Sequence, residues 1–282
     1  MNIALLGVPY NLDQLEVGMG RAPAALTRAG LAERLAGQGH DVASETISVA
    51  EAPEPREAHI GAVQAQLAAA VARARAAGRF PLINGGDCLV SLGALAGLGR
   101  PSDTAVVWID AHGDFNTPEI SISGYLGGMP LACAVGRGLG ALRQQIGLEP
   151  LAERNVALVG ARDLDPLEER ALAASSVMLV RSSEIGGDTT ALDRALHALG
   201  SLPQLYLHID IDVLDSAIAP GVDFPTTPGL SVAQLERLAQ QVAGLGNMAA
   251  LALTAVNPEK DSEGRTVGAA LRVIEAALER GA

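Results

Sequence analysis

Cysteine, lysine and long apolar runs are scarce in this sequence, and each shortage excludes something. Cys88 and Cys133 are the only cysteines among 282 residues, too few for a disulfide framework and in keeping with a reducing compartment. Lys260 stands alone beside nineteen arginines, which removes most mechanisms that need a lysine nucleophile. No apolar window reaches membrane-spanning length. The chain opens straight into the apolar run 1–6 without a cationic leader or cleavage site, so a cytoplasmic protein is expected. Its formal charge of −12 leaves no basic patch for nucleic acid or an anionic membrane. The expected partner is a small molecule.

What is present is a near-continuous alternation of strand and helix patterns. Segments 2–8, 41–47, 80–84, 104–110, 155–160, 177–180, 205–213 and 248–255 read as strands. Segments 24–38, 58–78, 89–98, 131–135, 190–199, 232–242 and 264–280 read as helices, with another starting near Pro166. Such alternation predicts an α/β fold, a mainly parallel sheet covered on both faces, in one domain over 1–282. The unusual polar clusters all fall at the C-terminal ends of strands, where open α/β sheets bind ligands.

Two of those strand ends are chemically alike. The apolar run Val107-Trp108-Ile109 ends in Asp110, His112 and Asp114, and Leu205-Tyr206-Leu207 leads into His208, Asp210 and Asp212. Residues two apart leave a strand on the same side, so Asp110 and His112 converge and Asp114 follows in the loop. Buried carboxylates are costly unless paired or bound to metal, so two such ends in one chain predict a metal site. His208 shares a face with Asp210, which leaves two roles open: a partner or proton donor at the site, or a hydrogen-bonded core histidine. Cys133 and Trp108 are expected in the core.

The motifs Gly85-Gly86-Asp87, Asp110-Ala111-His112-Gly113-Asp114-Phe115-Asn116, His208-Ile209-Asp210-Ile211-Asp212 and Val256-Asn257-Pro258 occur in that order. Together with Gly7-Val8-Pro9 near the start they resemble the ureohydrolase family, the arginases and agmatinases, over nearly the whole chain. The resemblance implies a three-layer α/β/α sandwich with an eight-stranded parallel sheet. It also implies two manganese ions, which in that family acidify a shared water for attack on a guanidinium carbon. By the same resemblance Asp110 and Asp210 would bridge the ions, Asp114 would complete the first site, and His112 and Asp212 would hold the second. Cys88 stands where the family has a histidine ligand, and its softer sulfur would tilt preference from Mn²⁺ towards Zn²⁺ or Fe²⁺.

Two further departures touch the chemistry. Gly127 replaces the family's proton-relaying histidine, and Ala255 replaces the glutamate that pairs with the guanidinium. The contacts to an amino-acid end are kept in part: Asn116 and Ser123 match the carboxylate side, Asp165 and Glu168 the ammonium side, and Tyr125 replaces an asparagine. Asp110 and His208 are the candidate catalytic residues. These features are similar to a branch that cleaves N-omega-hydroxy-L-arginine to hydroxyurea and L-ornithine. A conventional arginase, agmatinase or guanidino-acid hydrolase is the alternative, and a non-catalytic, metal-binding relic is a third reading. Family members form trimers or hexamers, which leaves a homo-oligomer open.

Overall fold

The computed structural model describes residues 1–49, 54–185 and 190–279. In chain order its strands are β1 (Asn2–Val8), β2 (Tyr10–Asn11), β3 (Gln14–Leu15), β4 (Asp41–Thr46), β5 (Phe80–Gly85), β6 (Thr104–Ile109), β7 (Val156–Ala161), β8 (Met178–Arg181), β9 (Gln204–Asp210) and β10 (Met248–Thr254). The helices are α1 (Ala22–Arg28), α2 (Leu31–Gly37), α3 (Arg56–Ala76), α4 (Val90–Leu98), α5 (Pro130–Ala134), α6 (Gly140–Gln145), α7 (Pro166–Ala173), α8 (Thr190–Gly200), α9 (Val232–Ala243) and α10 (Arg265–Leu278).

Eight strands form one parallel sheet in the order β4-β1-β5-β10-β9-β6-β7-β8, as expected for a three-layer α/β/α sandwich. Strands β5, β6, β7 and β9 are buried along their whole length, which is why they read as unbroken apolar runs rather than alternating ones. Their side chains still divide by parity. Leu82, Val107, Ile109, Leu207 and Leu253 pack with α1, α2, α8, α9 and α10, whereas Ile83, Val106, Trp108, Leu158 and Tyr206 pack with α3 to α7.

The structure departs from the sequence reading in several places. The helix expected over 24–38 is two helices, because Gly30 takes a left-handed conformation (φ 84°) and starts α2 on a new axis. The strand expected to run to residue 213 ends at Asp210, whose Oδ1 accepts the Asp212 N–H at 2.8 Å and starts a 3₁₀ turn. The β2–β3 hairpin and α6 were not anticipated, and residue 280, expected in the last helix, lies outside the described residues. Among the described residues no helix is long and apolar enough to cross a membrane.

Candidate metal centre

Five neighbouring strands, β5, β10, β9, β6 and β7, end at one cleft of about 330 Å³. It is lined by Asp87 and Cys88 after β5, Ala255 after β10, Asp210 and Asp212 from β9, His112, Asp114 and Asn116 after β6, and Asp163, Asp165 and Glu168 after β7. Ser123, Tyr125 and Gly127 form another wall, with Met19, Ile122 and Phe224 as its apolar part. Parallel strand ends bring these residues together because each short loop begins where its strand leaves the sheet.

Asp110 is central. Its Oδ2 accepts the Trp108 Nε1–H at 3.0 Å and its Oδ1 accepts the His112 backbone N–H at 2.7 Å. The His112 Nδ1 lies 3.1 Å from Asp212 Oδ2 and 3.5 Å from Asp110 Oδ1. On the other side, Cys88 Sγ donates to Asp210 Oδ2 at 3.0 Å. Two groups of donor atoms result: Asp110 with His112 and Asp212, and Asp110 with Cys88, Asp210 and His208. Asp110 is common to both.

Asp114 lies beside them in an unusual state. Its backbone is left-handed (φ 47°), and its buried Oδ2 has no hydrogen-bond partner. Burial, then the charge of Asp110, pushes its carboxyl well above the usual carboxylate range. Burial and neighbouring carboxylates likewise raise Asp210 and Asp212, while Cys88 is raised by burial and by Asp210. Burial opposes ionisation of His112, but Asp212 and Asp110 more than offset it and push its pKa up to about 12. An orphaned buried oxygen and crowded carboxylates around a shared aspartate fit divalent cations. Oxygen-rich donors with one imidazole suit Mn²⁺, and one sulfur keeps Zn²⁺ or Fe²⁺ open.

His208 is placed beneath the cleft, not in its wall. It is fully buried, stacked on Trp108 with ring centroids 3.8 Å apart. Its Nδ1 meets Ser91 Oγ at 2.9 Å and its Nε2 meets Thr254 Oγ1 at 3.4 Å. Tyr206 donates to the same Ser91 at 2.9 Å, and Thr254 lies 3.5 Å from the Cys88 sulfur. Both ring nitrogens are thus engaged, and burial pulls the pKa down to about 3, so the imidazole is neutral. It lies under Cys88 and Asp110, outside the cleft lining, with a ring nitrogen within 4.8 Å of the Cys88, Asp110 and Asp210 donor atoms.

The amino-acid end divides too. Asn116 Nδ2 donates to Asp165 Oδ2 at 3.2 Å, leaving its buried Oδ1 unpartnered. Glu168 is occupied by backbone: Oε1 accepts from Phe115 at 2.8 Å and Oε2 from Asp165 at 3.2 Å. With Asp165 it forms a capping box at the start of α7, and burial raises it to about 7. Ser123 Oγ accepts the Tyr125 N–H at 3.2 Å on an exposed loop. Asp215 accepts from the Ala217 and Gly229 N–H groups, both at 2.9 Å, and closes the loop between them. Sequence reasoning missed Asp163 and the apolar Met19, Ile122 and Phe224. Asp163 could have been found as an acid just past the end of a strand, two residues before Asp165, but the other three carry no chemical pattern.

Tyr125 and Gly127 are matched. A Cβ on Gly127 would lie 2.7 Å from the Tyr125 phenol oxygen and closer still to its ring carbons. The ring leans on Phe224, with centroids 5.3 Å apart. Burial keeps the phenol protonated, raising its pKa from the ordinary value.

The model of the family described as Arginase family matches residues 1–279. The chain belongs to the arginase family. The arginase of Bacillus subtilis (strain 168) is 32% identical over 291 residues, covering 98% of this chain and 97% of that one. That of Bacillus caldovelox is 32% identical over 287 residues, covering 96% of each. The crystal structure of arginase from Bacillus cereus superposes with a TM-score of 0.91 at 30% identity, covering 100% of this chain and 99% of that one. This arginase-family chain is a metal-dependent hydrolase of C–N bonds in linear amidines, with the donors of a binuclear centre at its strand ends.

Proposed function

We propose that this protein hydrolyses N-omega-hydroxy-L-arginine to hydroxyurea and L-ornithine. The observation that carries the reading is the Tyr125 ring filling the space beside Gly127, so that no side chain at 127 enters the cleft. Ala255 extends the same change, because the wall at this position carries a methyl group and no carboxylate. A plain guanidinium loses its anionic partner there. An N-hydroxyguanidine is less basic and depends less on one, and its hydroxyl can exchange a hydrogen bond with the neutral Tyr125 phenol.

Asp110 and Asp210 would be shared by the ions, with Asp114 and Cys88 holding one and His112 and Asp212 the other. The engaged nitrogens of His208 and the orphaned oxygen of Asp114 favour Asp114 as a ligand and His208 as support. Bound divalent cations supply Lewis acidity towards water. Asp110 is held for that task by Trp108 and by the His112 backbone. Asp165 and Asn116 hold the substrate's α-amino and α-carboxylate end, Ser123 adds a hydroxyl at the rim, and Glu168 fixes the loop that presents them. Phe224, Ile122 and Met19 exclude water from the aliphatic stem. The ornithine Nδ must gain a proton as the C–N bond breaks; the attacking water supplies it as its oxygen becomes the carbonyl of hydroxyurea, and the Tyr125 phenol and the substrate hydroxyl are the neutral groups on that wall that can pass it on.

The second reading is a conventional arginase releasing urea from L-arginine, favoured by the names of the Bacillus relatives. Steady-state kinetics of the Mn²⁺-loaded protein with each compound separates the two. A higher kcat/KM for the N-hydroxy compound is expected, and faster urea release from L-arginine would overturn the proposal.

A further inference from the structure

Arg162 joins three segments of the cleft. Its backbone N–H donates to Ala111 O at 2.8 Å, and the Asp163 N–H donates to the same oxygen at 3.0 Å. This stitches the Asp163–Asp165 loop to the Asp110–His112 stretch. Its side chain reaches the other way. Nη1 donates to Val213 O at 3.0 Å, and Nη2 lies 2.9 Å from Asp212 O, 3.2 Å from Leu214 O and 3.3 Å from Thr226 O.

Those carbonyls belong to two functional pieces. Residues 212–214 overlap the 3₁₀ turn Ile211–Val213 that carries Asp212 out of β9, and Thr226 lies in the loop that carries Phe224. A guanidinium suits this place because its donors spread in a rigid planar fork, whereas an ammonium is a single point. The hydrogen bonds of Nη1 and Nη2 all run to backbone carbonyls, so these donors fix backbone geometry, while Nε is buried without a partner. The sequence places Arg162 beside Asp163 and Asp165, yet its hydrogen bonds run to the metal side of the cleft.

We propose that Arg162 is a positioning residue that holds the Asp212 turn in register with the loop gripping the substrate's amino-acid end. It thereby sets the affinity of the ion shared by Asp110, His112 and Asp212. The inference rests on the ligand assignment proposed above. Partners that orient metal ligands from outside the coordination shell change metal affinity by about 10–100-fold when lost. Here the larger effect falls on that ion, because no hydrogen bond of the fork reaches Cys88, Asp114 or Asp210.

The test compares the full-length protein with Arg162→Lys and Arg162→Met. Each is stripped with chelator and titrated with Mn²⁺ by calorimetry and electron paramagnetic resonance, with thermal unfolding recorded alongside. The native protein is expected to bind two ions, and each variant to keep one site while the other weakens about 10–100-fold. Arg162→Lys keeps the charge and the stem, so it isolates the fork if Arg162→Met fails to fold. Two sites of native affinity in Arg162→Lys, with only a lower melting temperature, would overturn the proposal. Fewer than two ions in the native protein would instead refute the ligand assignment, and the proposal would fall with it.

Discussion

The Tyr125 ring occupies the volume that a side chain at residue 127 would need. The two positions are therefore one structural unit. Gly127→Ala is predicted to destabilise the protein by about 1–3 kcal/mol through overcrowding, and far less when Tyr125 is also changed to Ala. Urea unfolding of the two single variants and the double variant measures the coupling, about 0.5–3 kcal/mol for residues in contact. Additive effects would show that the ring does not hold that space.

Trp108 gives Asp110 its one indole donor, at 3.0 Å. Trp108→Phe keeps an aromatic face for His208 but removes this hydrogen bond, which to a charged acceptor contributes about 1.5–3 kcal/mol. The expected result is a loss of about 10–100-fold in metal affinity, read by retention of Mn²⁺ against graded chelator. Unchanged retention would reduce Trp108 to a core residue.

Removal of metal leaves Asp110, Asp114, Asp210 and Asp212 crowded in a buried space. Chelation is predicted to lower the melting temperature and Mn²⁺ to restore it. The gain is about 2.7 kcal/mol when free metal is a hundredfold above its dissociation constant. Differential scanning calorimetry with and without chelator checks this, and identical midpoints would contradict a metal centre.

The pH dependence of the metal-free protein follows from groups that bind protons more tightly when folded. Glu168 is raised by burial from 4.5 to about 7, and His112 is raised from 6.5 to about 12, where Asp212 and Asp110 outweigh burial. Both signs agree. The folded state holds the extra proton of Glu168 between pH 4.5 and 7 and that of His112 above 6.5, so stability falls as pH rises across these windows. The His112 contribution is fully present below 6.5 and lost as pH passes through 12. Metal loading reverses the trend, because ligands must shed protons to bind. Urea titrations from pH 5 to pH 9 in chelator and in Mn²⁺ are expected to slope in opposite directions.

Much of this architecture was legible in the chain. Apolar runs ending in Asp110 and Asp210 announced buried parallel strands whose ends converge, and each of the eight expected segments holds a sheet strand, with β9 stopping short of residue 213. The break at Gly30 was not, because a glycine within a helical pattern gives no sign of its φ. The role of Trp108 was hidden for a different reason: a tryptophan in an apolar strand reads as core, and only the folded chain shows its N–H reaching Asp110 two residues on. His208 shared a face with Asp210 as expected, but at His208 that face is covered by α4, where Ser91, with Thr254 of β10, claims both nitrogens. Gly127 was visible as a missing histidine, whereas the ring that fills its place is a contact across two residues of loop that no periodicity encodes.

The most direct measurement is a competition. The Mn²⁺-loaded protein is given L-arginine and N-omega-hydroxy-L-arginine in equal concentration, and urea and hydroxyurea are quantified in the same sample. Their initial ratio equals the ratio of the two kcat/KM values. An excess of hydroxyurea is predicted from the Tyr125–Gly127 wall and from Ala255, and an excess of urea would contradict the account.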